Sequence, residues 1–339
     1  MAHSNISIFV PHVGCPHTCS FCNQRTITGV RDVPRAEDVR RICSQAMAEV
    51  GDPADTEIAF FGGSFTAIPR EYMLELLSAA QDFIGSGKFK GIRISTRPDC
   101  IDKEVLELLK RYGVTSIELG AQSMSGEVLK ANERGHTAED VFTASQLIRE
   151  YGFELGLQVM VGLYRSDYEK EMHTMRCVQE IRPDTVRIYP TCVLKGTHLA
   201  ELYGSGEYKL MSFDEAVDIC AEMAASFTSC GIKILRMGLH ASDNVENDLV
   251  AGFYHPAFGE VVRSREIRRI TERHINANPA ESYTVYASRS GISSAVGHKK
   301  SNKLYFCEKR INVVFKEDDS LCKDEIRIDK DVYHVFKIT

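Results

Sequence analysis

Gly14-Cys15-Pro16-His17-Thr18-Cys19-Ser20-Phe21-Cys22 is the stretch from which the rest of the chain is read. Three cysteines fall within eight residues, spaced C-x3-C-x2-C, directly after the apolar run Ile6 to Val10. Soft thiolates suit iron–sulfur clusters, and three of them on one loop can hold three irons of a [4Fe–4S] cube. No fourth cysteine follows nearby, so one iron is left for a ligand that is not protein. Zinc is the rival metal. It wants four ligands, and His12 and His17 stand close, but no second C-x2-C pair exists to complete a structural zinc site. Plain packing of three buried thiols is the third reading.

Outward from this loop the apolar pattern alternates between two periods. Strand-like runs cover 7–10, 56–61, 91–96, 115–120, 153–161, 185–190 and 231–235. Helical periods cover 35–50, 69–83, 102–113, 125–131, 137–151, 168–181 and 212–230. Asp102, Thr137 and Ser212 stand where helix caps belong, and Gly51 and Gly113 where helices stop. Such alternation predicts right-handed βαβ units and parallel strands with helices outside. The expected fold class is α/β, a partial (β/α)6 TIM-type barrel. A doubly wound sheet competes, and periodicity alone does not separate the two. In a barrel the working face lies at the C-terminal strand ends. Cys15, Gly62, Gly63, Ser95, Thr96, Glu118, Gln122, Gln158 and Tyr189 sit at those ends and are expected to converge on one mouth.

The texture changes after about residue 240. A Gly/Pro/aromatic stretch over 251–259 leads into a helix over 260–274, then strand-like pieces over 283–287, 304–306, 311–315, 325–328 and 332–336. The reading is a barrel domain over 1–240 and a small C-terminal α+β appendage over 241–339.

Composition narrows the class. The chain has 339 residues, 43% hydrophobic and 26% charged, which is ordinary for a globular protein. No apolar run is long enough to span a bilayer, and no signal peptide precedes the first strand, so a cytoplasmic protein is expected. Eleven cysteines, an odd count, argue against a disulfide framework; the eight outside the loop read as packing thiols. A net charge of −6 counts against a dedicated nucleic-acid binder. Local charge is uneven, however. Arg263, Arg265, Arg268, Arg269 and Arg273 form a basic cluster, and Lys299, Lys300 and Lys303 follow. A solvated helix face is the plain alternative for that cluster.

Two further stretches carry chemistry. Gly62-Gly63 directly after a strand permits φ > 0 and close approach of a ligand to the backbone, although a Gly-Gly turn is often only structural. Glu118-Leu119-Gly120-Ala121-Gln122-Ser123 places a carboxylate inside an apolar strand, where it is costly unless paired. Arg134 offers a fork that matches a carboxylate, and a local salt bridge from Glu118 or Glu133 to Arg134 is the competing account.

Together these residues carry a resemblance. The cysteine trio with Phe21 before its last member, followed by the Gly-Gly strand end, resembles the radical S-adenosylmethionine (SAM) superfamily. Five further stretches resemble, in order, the radical-SAM half of the Elongator catalytic subunit. They are Phe61-Gly62-Gly63-Ser64-Phe65-Thr66, Ser95-Thr96-Arg97-Pro98-Asp99, Glu118 to Ser123, Arg134-Gly135-His136-Thr137, and Ile188-Tyr189-Pro190-Thr191 with Lys195-Gly196-Thr197. The likeness covers about residues 5 to 240, without the acetyltransferase domain of that subunit. It implies that Cys15, Cys19 and Cys22 hold a [4Fe–4S] cluster. It implies that Gly62 and Gly63 meet the amino group of SAM and Arg134 its carboxylate. Gln122 would face the ribose, Ser95 and Gln158 would line the cavity, and Phe21 would pack near the adenine. It also implies reductive cleavage of SAM to a 5′-deoxyadenosyl radical, fed by a reductant such as flavodoxin or ferredoxin.

The expected function is therefore a radical SAM enzyme with an unidentified substrate, tRNA modification being the first choice. A small-molecule enzyme similar to oxygen-independent coproporphyrinogen oxidase is the alternative. A non-catalytic, metal-stabilised RNA-binding protein is the alternative of another class.

Overall fold

The computed structural model of the chain describes residues 4–10, 15, 18–29, 32–240 and 243–336. His12 and His17, weighed above as zinc ligands, lie outside the described residues. The barrel portion runs β1 (Ser4–Phe9), α1 (Gln24–Thr28), α2 (Ala36–Glu49), β2 (Thr56–Phe61), α3 (Arg70–Gln81), β3 (Gly91–Thr96), α4 (Lys103–Arg111) and β4 (Val114–Gln122). It continues through α5 (Gly126–Ala131), α6 (Ala138–Glu150), β5 (Glu154–Val161), α7 (Tyr168–Ile181), β6 (Thr185–Pro190), β7 (Cys192–Leu194), α8 (His198–Gly204), α9 (Phe213–Ser229) and β8 (Lys233–Met237).

Seven strands form one parallel sheet in the order β1-β2-β3-β4-β5-β6-β8. A doubly wound sheet reverses its strand order partway across. Here the order follows the chain without reversal, which makes the sheet a partial barrel. The short run read at 231–235 is the seventh strand, one beyond the six-unit count. Helix ends obey local chemistry. Asp102 accepts from the Val105 N–H at 2.8 Å, and Thr137 with Asp140 and Ser212 with Glu215 form reciprocal capping boxes.

The strands themselves alternate. Ile58 and Phe60, Ile92 and Ile94, Ile117 and Leu119, Leu155, Leu157 and Val159, and Val186 and Ile188 are buried on the face that packs the helices. The intervening residues, including Glu57, Arg93, Ser95, Ser116, Glu118, Gln158 and Arg187, point to the opposite face. The barrel is therefore apolar on its outer face and polar inside.

Beyond β8 the chain forms α10 (Asp243–Asp248), β9 (Leu249–Gly252), α11 (Phe258–Ala277), β10 (Ser282–Ala287), α12 (Ile292–Val296), α13 (Ser301–Glu308), β11 (Asn312–Glu317), β12 (Glu325–Ile328) and β13 (Asp331–His334). β9 returns to pair antiparallel with β7. The last four strands form a second sheet in the order β11-β10-β12-β13. α11 packs on α9 and shares the barrel's hydrophobic core through Val262, Ile267 and Ile270. The stretch 304–306, expected as a strand, is instead the middle of α13. Phe306 is buried while Leu304 is 55% exposed, so one side of a helix turn meets the core. Among the described residues, no helix is long and apolar enough to cross a membrane.

Candidate active site

The polar inner face begins with an ion network across five strands. Arg93 on β3 is fully buried. Its Nε donates to Glu57 of β2 at 2.8 Å, Nη1 to Glu118 of β4 at 3.2 Å and Nη2 to Glu154 of β5 at 2.5 Å. Glu118 also accepts from Arg187 of β6, at 2.9 Å from Nε and 3.1 Å from Nη2, and from Gln158 at 3.0 Å. Burial alone would raise the Glu118 pKa. The charges of Arg187 and Arg93 outweigh it and hold the carboxyl below the usual carboxylate range. To reach β6 from β4, the Glu118 side chain crosses β5 at Gly156. A Cβ on Gly156 would lie 2.7 Å from Glu118 Cγ and 3.0 Å from Thr185 Oγ1. The glycine is there to leave the carboxylate a path.

Above this floor, at the C-terminal strand ends, lies a cavity of about 240 Å³. Cys15, Cys19, Phe21, Cys22, Gly62, Gly63, Ser95, Gln122, Arg134 and Gln158 all line it. Each is positioned for a local reason. Gly62 and Gly63 end β2 with φ of +95° and +134°, a conformation side chains resist. A register shift between β4 and β5 at Gly120/Gln122 puts Gln122 at φ +63°. Gln158 donates to Ser95 Oγ at 3.2 Å as well as to Glu118, so the network below fixes its amide.

Arg134 ties the cysteine loop to the barrel. Its Nη1 donates to Cys19 Sγ at 2.9 Å and its Nη2 to the Gly120 carbonyl at 2.6 Å, with Cζ 6.0 Å from the Phe21 ring centre. Glu118 is gripped by Arg93 and Arg187 instead, and Glu133 faces His198 at 2.9 Å. The competing account, a salt bridge from Glu118 or Glu133 to Arg134, does not hold, because both carboxylates have other partners. Ser20 and Leu199 anchor the loop further: Ser20 Oγ donates to Asn132 at 2.9 Å, and the Leu199 N–H to the Ser20 carbonyl at 2.7 Å.

The donor set fits a cationic iron–sulfur group with a polar ligand beside it. Burial pushes the Cys22 thiol up to about 12, and the neighbouring Cys19 and Cys15 sulfurs add to the rise. Burial raises Cys15 too, against the Ser64 backbone, Arg97 and Arg134. Sulfur in such a site carries negative charge readily only beside a cation. Among the described residues, no three His, Cys, Asp or Glu side chains converge on a single ion. All three thiols line the cavity, and Cys22 feels the charge of both Cys19 and Cys15. Gln122 Oε1 and Arg134 Nε, both on residues that line the cavity, are buried without a protein hydrogen-bond partner.

Several residues of the site were not singled out by type. Arg97, 4% exposed, lines the cavity and forms a two-pronged pair with Asp99 at 2.9 and 2.8 Å. Arg187, Met160 and Cys192 line it as well, and Leu239 and His240 close it at the end of β8. Burial lowers the His240 pKa, and Arg236 and Arg187 lower it further. The signal for Arg93 and Arg187 was present: each is a polar residue in the alternate position of an otherwise apolar strand. The basic cluster is largely taken up in ion pairs rather than left as a solvated helix face. Arg263 pairs with Asp324, Arg265 with Asp214 and Asp218, Arg269 with Asp218, and Arg273 with Glu266. Arg263, Arg265 and Arg269 thereby staple α11 to its neighbours, Arg273 pairs within α11, and Arg268 lies over the Tyr305 ring.

Comparison with known proteins agrees with this geometry. The family model of the radical SAM superfamily matches residues 9–178, and that of the radical SAM C-terminal domain matches residues 183–268. A tRNA uridine(34) acetyltransferase of Methanocaldococcus infernus is 29% identical over 255 residues, covering 63% of this chain and 48% of that protein. Elongator complex protein 3 of Saccharomyces cerevisiae is 30% identical over 202 residues, covering 53% of this chain and 36% of that protein. The solved structure of the archaeal Methanocaldococcus infernus Elp3 with an N-terminal deletion aligns with a TM-score of 0.63 and 22% identity. The alignment covers 82% of this chain and 63% of that one. The chain spans about half the length of the first of these relatives. With its partial barrel and its three cysteines at the strand ends, the chain belongs to the radical SAM superfamily.

Proposed function

We propose that this enzyme uses a [4Fe–4S] cluster and SAM to abstract hydrogen from a tRNA substrate in the cytoplasm. One observation carries the cofactor part. The ten residues named for cluster and SAM come from the cysteine loop, four strand ends and the turn after α5, and they line one cavity. In this reading Cys15, Cys19 and Cys22 hold three irons, and the fourth is left to SAM. When bound, the pair supplies one-electron cleavage of a sulfonium carbon–sulfur bond and, from it, hydrogen abstraction.

The chain's own residues then bind, orient and exclude water. The unpaired Nε of Arg134 offers a charged hydrogen bond to a carboxylate. The Gly62-Gly63 turn, with no Cβ, lets an amino group reach backbone carbonyls. Gln122 Oε1 accepts from a hydroxyl. Phe21 offers a flat apolar face, and Ser95 and Gln158 hold the cavity's inner wall. Phe9, Phe61, Ile27, Leu194 and Leu239 add apolar wall between the polar groups, which favours exclusion of water.

The substrate class rests on the names of the relatives, one of which is a tRNA uridine(34) acetyltransferase. The proposal concerns hydrogen abstraction, and the acetyl step in that name stays with that relative. A small-metabolite substrate is the second reading, favoured by the ion-paired arginines of α11 and the net charge of −6.

The test is anaerobic reconstitution, metal and sulfide analysis, and measurement of 5′-deoxyadenosine under a reductant such as flavodoxin or ferredoxin. Iron with matching sulfide, and product release that tRNA stimulates, is the expected result. Zinc without sulfide would return the loop to a structural role. Cleavage that tRNA never alters, with substrate binding insensitive to salt, would favour the metabolite.

A further inference from the structure

Four of the five arginines in the basic cluster are ion-paired and the fifth, Arg268, lies over the Tyr305 ring, but the smaller cluster that follows has no such partners among the described residues. Lys299, Lys300 and Lys303 are exposed, and among the described residues none of them forms an ion pair. Lys299 and Lys300, with exposed His298, form the short segment that leads from α12 into α13, and Lys303 follows in the first turn of α13. Its backbone is unusual. Gly297 has φ +88°, and the two successive lysines follow at φ +51° and +63°. Left-handed backbone at consecutive non-glycine residues persists only where surrounding structure enforces it, and such strain gathers at functional sites.

The enforcing contacts are visible. Asn302, 2% exposed, donates from Nδ2 to the Ser264 carbonyl of α11 at 2.9 Å and to the Ala295 carbonyl of α12 at 3.0 Å. A Cβ on Gly297 would strike Ser301 Oγ at 2.3 Å and the Asn302 nitrogen at 2.8 Å, and come within 3.0 Å of Ser264 Oγ. The lysines are therefore held out from a fixed turn. The His298 ring meets the His255 ring edge-on at 4.8 Å. His255 lies three residues before Phe258, whose Cβ a Cβ on Gly238 would meet at 2.7 Å. Gly238 is followed at once by Leu239 and His240, which line the cavity. Through His255 and Phe258 the segment is thus linked to the end of β8, the strand end from which Leu239 and His240 reach the cavity.

We infer that the 297–303 turn, with His255, is a docking surface for the phosphate backbone of the RNA substrate beside the cavity mouth. Three uncompensated ammonium groups on an anchored turn match a run of phosphates. The paired imidazoles add flat rings of the kind that unstacked RNA bases stack on. On a chain of net charge −6 this local excess of cation serves contact with a polyanion, while the acidic remainder disfavours indiscriminate binding. The inference rests on the tRNA reading above.

The experiment compares tRNA binding by the wild-type protein with that of the triple variant Lys299→Gln, Lys300→Gln, Lys303→Gln across a salt series. The variant is expected to bind roughly tenfold more weakly near 0.1 M salt, with the slope of log affinity against log salt reduced by about 2 to 3. Arginine at the same three positions should restore both. SAM cleavage without RNA and the thermal midpoint should match wild type, since these side chains are solvent-exposed. Equal affinity and slope for variant and wild type would overturn the surface and leave the substrate reading in place. No tRNA binding by the wild type would overturn the substrate reading, and this surface with it.

Discussion

Arg134 holds Cys19 and the fourth barrel strand in one grip: Nη1 donates to the Cys19 sulfur at 2.9 Å while Nη2 donates to the Gly120 carbonyl at 2.6 Å. That leaves only Nε of the guanidinium without a partner. Replacing Arg134 by Gln removes the charge from beside the sulfur and the free donor together. The reconstituted variant should keep its iron but bind SAM about tenfold to a hundredfold more weakly, the range for one charge-assisted hydrogen bond. Equilibrium dialysis checks this, and unchanged SAM affinity would count against the assignment of Arg134.

The cysteines separate by role. Cys15→Ala, Cys19→Ala and Cys22→Ala should each reduce iron and sulfide to near background after anaerobic reconstitution. Cys230→Ala and Cys307→Ala, at exposed positions, should leave both at the wild-type level. Full cluster content in any of the first three would remove that residue from the ligand set.

The floor of the cavity sets the stability of the barrel. Glu118→Leu would leave Arg187 buried without its carboxylate, and Arg93 with two acidic partners in place of three. Breaking a buried pair from one side costs about 3–5 kcal/mol. Gly156→Ala, which pushes against Glu118 Cγ, should cost about 1–3 kcal/mol. Urea unfolding of the two variants orders these costs, and a Glu118→Leu variant as stable as wild type would refute the account.

Glu171 gives the stability a pH dependence. Burial pushes its pKa up to about 7, against hydrogen bonds from the Gly162 N–H and the Ser166 hydroxyl, each at 2.7 Å. The native state keeps a proton that the unfolded chain has released above the ordinary value of 4.5. The native state therefore binds more protons across that window, and stability falls as pH rises from about 4.5 to 7. His136 works oppositely. Burial, with Arg134 and Arg97, pushes it down to about 4, so its contribution grows as pH rises from 4 to 6.5. In Glu171→Gln the amide oxygen still accepts both bonds and does not titrate. The thermal midpoint of the variant should gain on wild type as pH rises from about 4.5 to 7 and hold that gain above 7, and parallel curves across that window would show that Glu171 is ionised throughout.

Much of this molecule was legible because its signals are local. The caps at Asp102, Thr137 and Ser212, the glycine stops and the cysteine spacing each concern a few consecutive residues, and they place the elements and one wall of the cavity. What the sequence reading missed depends on pairing across strands. Glu118 was legible as a costly carboxylate, but its partners Arg93 and Arg187 lie 25 and 69 residues away. Gly156 has a purpose only once Glu118 is seen to cross it. The stretch 304–306 misled because Leu-Tyr-Phe has no period of its own and takes its helical form from the Asn302 anchor. The α11 arginines looked free because Asp214, Asp218 and Asp324 come from distant parts of the chain.

The reach of Glu118 also sets an order of birth. A chain emerging from the ribosome presents Arg93 and Glu118 together, long before Arg187 exists, and the carboxylate waits 69 residues for its second guanidinium. Until β6 is made the barrel floor holds a half-neutralised acid that water must solvate. The expected consequence is that the first four strands do not close into a dry interior before the sixth arrives. A released fragment ending before residue 187 should stay open to protease across β4 and β5, and one ending well after β6 should close.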